Sequence, residues 1–159
     1  MPGRLLRVLP LHPRGLAAEA IATSPTQRTI RALKDQGRVC GIVERYNAFV
    51  GPHGIRQDLF GIIDIIALDP QRGVVGIQSC GSDFAAHERK ILIDRAQESI
   101  DWLSTPGAVL ELWGWRKVKL KRGGVAMRWQ PRLREFTLAD FSLSPHTSVR
   151  SVIMEDDAA

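Results

Sequence analysis

The sequence predicts an α/β or α+β fold, a sheet covered by helices. Two segments with helical start and stop signals, 24–37 and 82–103, bracket three short apolar runs between 39 and 80. Two further β-type runs follow at 108–120 and 125–138, and no internal repeat or low-complexity segment interrupts the order. With 159 residues, 44% hydrophobic and 25% charged, the chain reads as one globular domain. Such a length buries on the order of two-thirds of its extended-chain surface.

Each element has a local reason. Ser24 can cap a helix with Pro25 at its first position and Gln27 three residues after the cap. That helix is predicted to run to about Gln36, with Ile30 and Leu33 inward and Gly37 stopping it. In VCGIVERYNAFV (39–50), Cys40, Ile42, Glu44 and Tyr46 share one face at period two, and GPHG (51–54) is a turn by composition. RQDLFGIIDIIALDP (56–70) contains a nearly continuous apolar run, as expected of a strand covered on both faces. DPQRG (69–73) turns the chain into VVGIQSC (74–80). Short turns between these three strands predict an antiparallel meander.

The segment 82–103 reads as a helix capped by Ser82 or Asp83. Ala85, Leu92, Ala96 and Leu103 would form its core stripe, with Glu88, Arg95 and Glu98 exposed. After the loop STPG (104–107), a strand alternates Val109, Glu111, Trp113 and Trp115 against Leu110 and Leu112. RGG (122–124) then turns into a last strand. Residues 1–23 read as a loosely attached arm, 24–143 as the domain and 144–159 as a polar tail.

Charge is unevenly placed. Twenty-two Lys and Arg against seventeen Asp and Glu give +5, but Arg116, Lys117, Lys119, Lys121, Arg122, Arg128, Arg132 and Arg134 form a strip without acids. The rest of the chain is left at −3. A strip of one sign suits a polyanion such as nucleic acid; the alternative is a solvated basic hairpin. Trp113, Trp115 and Trp129 interleave it, as base platforms or as packing. No apolar run approaches the roughly 20 residues of a membrane span. Cys40 and Cys80 supply neither a disulfide framework nor a four-ligand zinc site. Pro10 and Pro13 break any signal-peptide core, so the expected location is cytoplasmic.

Asp64 is the strongest chemical clue, because two isoleucines flank it on each side. An ionised carboxylate there costs several kcal/mol unless a cation or hydrogen bonds compensate. It reads as a metal ligand, or as a cap on neighbouring backbone. Gln78 and Cys80 are two apart on one strand and share a face, so Gln78 can offer an amide oxygen beside Asp64, or be a buried amide satisfied by backbone. Asp58 lies about 20 Å from Asp64 along an extended strand, too far for one ion unless the chain bends sharply at Gly61. It is placed at the mouth of the site or paired with Arg56.

RQDLFGIIDIIAL followed, after thirteen residues intervening between Asp64 and Gln78, by Gln78-Ser79-Cys80 resembles the PD-(D/E)XK nuclease superfamily, the restriction-endonuclease-like fold that includes resolvase-type and phage nucleases. The resemblance covers about residues 24–136. It implies a helix, a three-strand meander, a helix and further strands, with the family Asp at Asp64 and the acid-x-Lys triplet at Gln78–Cys80. It departs in three places: no Pro precedes Asp64, Gln78 replaces the acid, and Cys80 replaces the Lys. Lys90, on a helix face with His87, is the candidate substitute for the Lys, or else a solvated helix residue; Glu44 is a further acid near the metal, or a salt-bridge partner.

The resemblance thus implies a Mg²⁺- or Mn²⁺-dependent nuclease of DNA, structure-specific in the resolvase manner. Asp64, Gln78 and the Ser79 carbonyl would hold the ion, Lys90 would position water or offset charge, and the basic strip would grip the backbone. Chemistry on two strands favours a homodimer. The alternatives are a nuclease-fold protein that binds nucleic acid without cutting it, a cysteine hydrolase using Cys80 and His87, and an assembly protein.

Overall fold

The structure, a computed structural model, describes residues 23–142. The expected arm and tail lie outside the described residues, apart from Thr23. A five-stranded mixed sheet forms the centre, in the order β1 (Val39–Ile42), β4 (Ile65–Asp69), β5 (Gly73–Cys80), β6 (Ala108–Lys119), β7 (Met127–Phe136). β2 (Arg45–Asn47) and β3 (Ile55–Gln57) make a separate hairpin. β5 and β6 are parallel because a helical crossover joins them, and every other neighbouring pair of the sheet is antiparallel.

One helix covers the first face. α1 (Pro25–Asp35) starts at the expected capping box: Gln27 N donates to Ser24 Oγ at 3.2 Å, and Ser24 N donates to Gln27 Oε1 at 3.4 Å. Gly37, at φ +75°, supplies the left-handed residue after its C-cap. Leu33 packs there with Ile65, Ala67, Val75, Ile77, Trp113 and Trp115. The opposite face carries α2 (Phe84–Arg89), a π-helical turn (Lys90–Asp94) and α3 (Ala96–Ser104). Phe84 and Ile91 pack there with Ile62, Ile63, Leu110, Leu112 and Phe136. The alternation expected along 108–115 is therefore present, with both faces of the strand covered.

Three expectations require correction. The run 39–50 is not one strand: it breaks at Val43–Glu44, whose two N–H groups donate to the single Asp64 carbonyl at 2.8 and 3.3 Å. Tyr46 consequently stands exposed on the hairpin, donating to the His53 carbonyl. The run 56–70 is also divided. Ile62 and Ile63 are fully buried, but in a tight turn rather than a strand. The meander β1–β4–β5 keeps its antiparallel order while the β2–β3 hairpin occupies its first link.

The helix predicted over 82–103 is interrupted. Arg95 N donates to Lys90 O at 2.7 Å, an i to i+5 bond, and Arg95 itself leaves helical geometry at φ −129°. The extra residue rotates the helix face. Phe84, Ile91 and Ser99 are the buried positions, Ala85 is exposed, and Leu92, Ala96 and Leu103 are half-buried. Asp83 holds the N-cap position without making a side-chain cap bond. Glu88, expected in solvent, pairs with Arg134.

Candidate metal centre

The end of the sheet where β4 begins and β5 finishes holds the polar groups. Ile62, Ile63, Ile65 and Ile77 are fully buried around Asp64, whose own exposure is 3%. Asp64 Oδ2 accepts from Gln78 Nε2 and from the backbone N–H of Ser79, each at 2.8 Å. Its backbone N–H donates to Ile77 O, which pins the residue to β5. The side chain of Ser79 points the other way, its hydroxyl 2.8 Å from that of Thr29 on α1. Ser79 therefore reaches the site through its backbone alone. A strand residue turns N–H and C=O to the same side, so the Ser79 carbonyl faces the site as well.

Asp58 returns to Asp64 because the chain bends where extension would have kept them apart. Phe60 (φ 55°) and Gly61 (φ 74°) both adopt the left-handed region, and Leu59 and Ile63 form a bridge closed by a 2.8 Å hydrogen bond. Carboxylate oxygens of Glu44, Asp58 and Asp64 then lie within 4.8 Å of one another. Lys90 Nζ donates to Asp58 Oδ2 at 2.6 Å and to Gln78 Oε1 at 3.4 Å. Arg56 pairs with Glu44 at 2.7 Å, not with Asp58. A cavity of about 380 Å³ opens onto Asp58 and Lys90, with Arg56 and Arg95 in its wall.

The geometry brings Glu44, Asp64, Gln78 and Lys90 together and adds Asp58 as a close member. One expected detail is reversed. Gln78 turns its amide nitrogen, not its oxygen, toward Asp64, because the carboxylates require donors and Lys90 supplies one to the amide oxygen. Half a turn of the amide would place the oxygen inward.

The electrostatics separate the two aspartates. Burial, then the hydrogen bond with Asp58 and the charges of Asp58 and Glu44, push Asp64 up to about 7, against the pull of the Ser79 N–H. For Asp58, burial is outweighed by hydrogen bonds with Asp64, Lys90 and Gln78 and by the Lys90 charge, so it is held below the usual carboxylate range. Of the two carboxyls, Asp58 is the one held ionised, with Lys90 beside it, and Asp64 is the one held back from ionising. Converging oxygen donors, one buried and two half-buried, are of the kind a hard cation takes.

The two ends of the basic strip behave differently. Arg116, Lys117, Lys119, Lys121, Arg122 and Arg128 are exposed. Arg134 is tied to Glu88 and Asp140, and the Arg132 guanidinium lies over the Phe84 ring at 4.1 Å. Trp113 and Trp115 are buried, so they pack rather than offer platforms. Trp129 is exposed at 43%, with Arg28 over its ring at 3.7 Å and Lys117 at 5.2 Å. β5 ends at Cys80, level with Gly114, and β6 continues five residues further, about 16 Å past the end of the sheet that holds the carboxylates.

No family model, curated protein or solved structure matches the chain. Cys80 has no nucleophile's setting: burial, then the charges of Asp83 and Asp64, push its thiol up to about 12. Among the described residues no helix is long and apolar enough to cross a membrane.

Proposed function

We propose that the chain is a metal-dependent nuclease, a degenerate relative of the PD-(D/E)XK superfamily acting on DNA. The observation that carries the reading is the convergence of Glu44, Asp58 and Asp64 within 4.8 Å of one another, with Lys90 beside Asp58. The order helix, antiparallel β1–β4–β5, helix, parallel β6 is the order expected of a restriction-endonuclease-like core. The exposed basic half of the β6–β7 hairpin overhangs the same end of the sheet and supports a polyanionic substrate. The β2–β3 hairpin lies in the link between β1 and β4, and the resemblance to resolvase-type nucleases is what favours structured DNA over a plain duplex. Cleaving two strands of such a substrate calls for a homodimer.

Glu44, Asp58 and Asp64, with the Gln78 oxygen turned inward and the Ser79 carbonyl, would hold Mg²⁺ or Mn²⁺. When bound, the ion supplies Lewis-acid polarisation of a phosphate oxygen and acidifies a coordinated water. Lys90 keeps an ammonium beside the carboxylates, where it offsets charge developing on the phosphate oxygens. Arg56 and Arg95 line the approach and orient the backbone. Asp64 gives up its proton as positive charge enters the cluster. The fully buried isoleucines keep water from the back of the site and make each charge more effective.

The test is cleavage of plasmid, single-stranded and branched DNA in Mg²⁺ and in Mn²⁺, with wild type and Asp64→Ala. Metal-dependent cleavage that disappears in the variant is expected. Binding without cleavage in either metal would instead favour a nuclease-fold DNA binder. The replacement of the family acid and Lys by Gln78 and Cys80 is what would account for that outcome.

A further inference from the structure

We propose that Cys80, Asp83 and His87 form a second cation site, one for a thiophilic divalent ion of the Zn²⁺ type. It involves none of the three carboxylates of the first cluster and does not depend on nuclease activity. The Cys80 Sγ, a carboxylate oxygen of Asp83 and an imidazole nitrogen of His87 all lie within 4.8 Å of one another. Around zinc, with bonds of about 2.0–2.3 Å, such atoms stand roughly 3–4 Å apart, so only a small closure is required.

The fold produces the grouping directly. Cys80 ends β5, the chain turns through Gly81 and Ser82, and Asp83 and His87 lie one helical turn apart at the start of α2. Asp83 Oδ2 is 3.0 Å from His87 Nε2, so the two donors already face one another, and an ion between them would replace that contact.

The donor sets of the two sites select different ions. Sulfur, nitrogen and one carboxylate suit Zn²⁺ or Co²⁺, whereas the all-oxygen cluster at Glu44, Asp58 and Asp64 suits Mg²⁺ or Mn²⁺. Three protein ligands leave a coordination position open, as in sites that bind water or substrate.

Co²⁺ titration of the full chain tests the site, because cobalt bound to thiolate gives a charge-transfer absorption band that oxygen ligation does not. One equivalent is expected to raise the band, and Zn²⁺ should abolish it by displacement. Cys80→Ser should remove the band, and His87→Ala should weaken Co²⁺ binding by more than about tenfold. Cys40→Ser should leave both unchanged. A titration without the band, or a band that survives Cys80→Ser, would overturn the proposal. Circular dichroism establishes that each variant folds; should Cys80→Ser fail to fold, unchanged Co²⁺ affinity in His87→Ala would be the overturning result.

Discussion

β4 has an aspartate at each end, and their surroundings have nearly the same composition with opposite consequences. At the far end, Asp69, Glu111 and Glu135 meet Arg38 and Arg72; at the site end, Glu44, Asp58 and Asp64 meet Arg56 and Lys90. Asp69 accepts from the Gln71 N–H at 3.0 Å and is paired with Arg38, so it is held below the usual carboxylate range. Glu111, though only 5% exposed, is matched by Arg72 at 2.6 Å and by Trp113 Nε1 at 2.8 Å. At the site end both cations go to the other two acids, and Asp64 receives only neutral donors. The far end uses its charges to hold strands together. The site end leaves one buried carboxyl, Asp64, without a cationic partner, the kind of perturbed group that marks a candidate site.

The largest expected effect separates the two ends by pH. Asp64 stands at about 7 in the folded chain against 3.8 unfolded, so its preference for the native state is complete below the unfolded value and is lost as pH rises through about 7. Asp64→Asn removes that loss. Without divalent ions it should exceed wild type at pH 8 by up to about 4 kcal/mol and match it near pH 4, by urea unfolding. A variant less stable than wild type at both pH values would contradict the electrostatic account.

The converse change at the far end should destabilise. Arg72→Ala strands Glu111 in the interior; on the order of 3 kcal/mol is expected, below a fully buried pair because a third of the Arg72 side chain is exposed. Chemical unfolding measures it, and Mn²⁺ affinity should not change. Next comes the hairpin: neutralising Lys117, Lys119 and Lys121 together should weaken DNA binding roughly tenfold to a hundredfold. The logarithmic salt slope should fall by about 3, measured by fluorescence anisotropy. An unchanged slope would place the nucleic-acid contact elsewhere.

The smallest effect concerns the α1 face of the same strand tip. Thr29 Oγ1 meets the Ser79 hydroxyl, the Trp115 indole N–H and the Pro25 carbonyl, at 2.8, 2.8 and 3.1 Å. Thr29→Val leaves the buried Ser79 and Trp115 groups short of a partner, at about 1–2 kcal/mol in thermal unfolding. Cleavage by the proposed nuclease should persist, since Ser79 contributes backbone to the site and its hydroxyl points away.

Much of this was legible from local pattern. The Ser24 capping box, the alternation along 108–115 and the isolation of Asp64 among isoleucines depend on neighbouring residues, and so does the placing of Gln78 on one face of its strand. Asp58 was not legible, because period-two reasoning assumes an extended chain and Phe60 and Gly61 reverse it. Gly61 was the one visible signal. The shift of the buried face after Arg89 was hidden for a similar reason: a single extra residue in the helix changes the phase of every position beyond it. The ties of Arg132 and Arg134 are long-range pairings, which a charge count cannot distinguish from free cations.

Proton release on Mn²⁺ binding tests the central claim most directly. Titrating Mn²⁺ into the protein near pH 6 in buffers of different ionisation enthalpy should release close to one proton per ion, falling toward zero above about pH 8 as Asp64 ionises. Asp64→Asn should release none and bind more weakly. Tight Mn²⁺ binding without proton release, or with unchanged release in Asp64→Asn, would mean that the ion does not bind at Asp64.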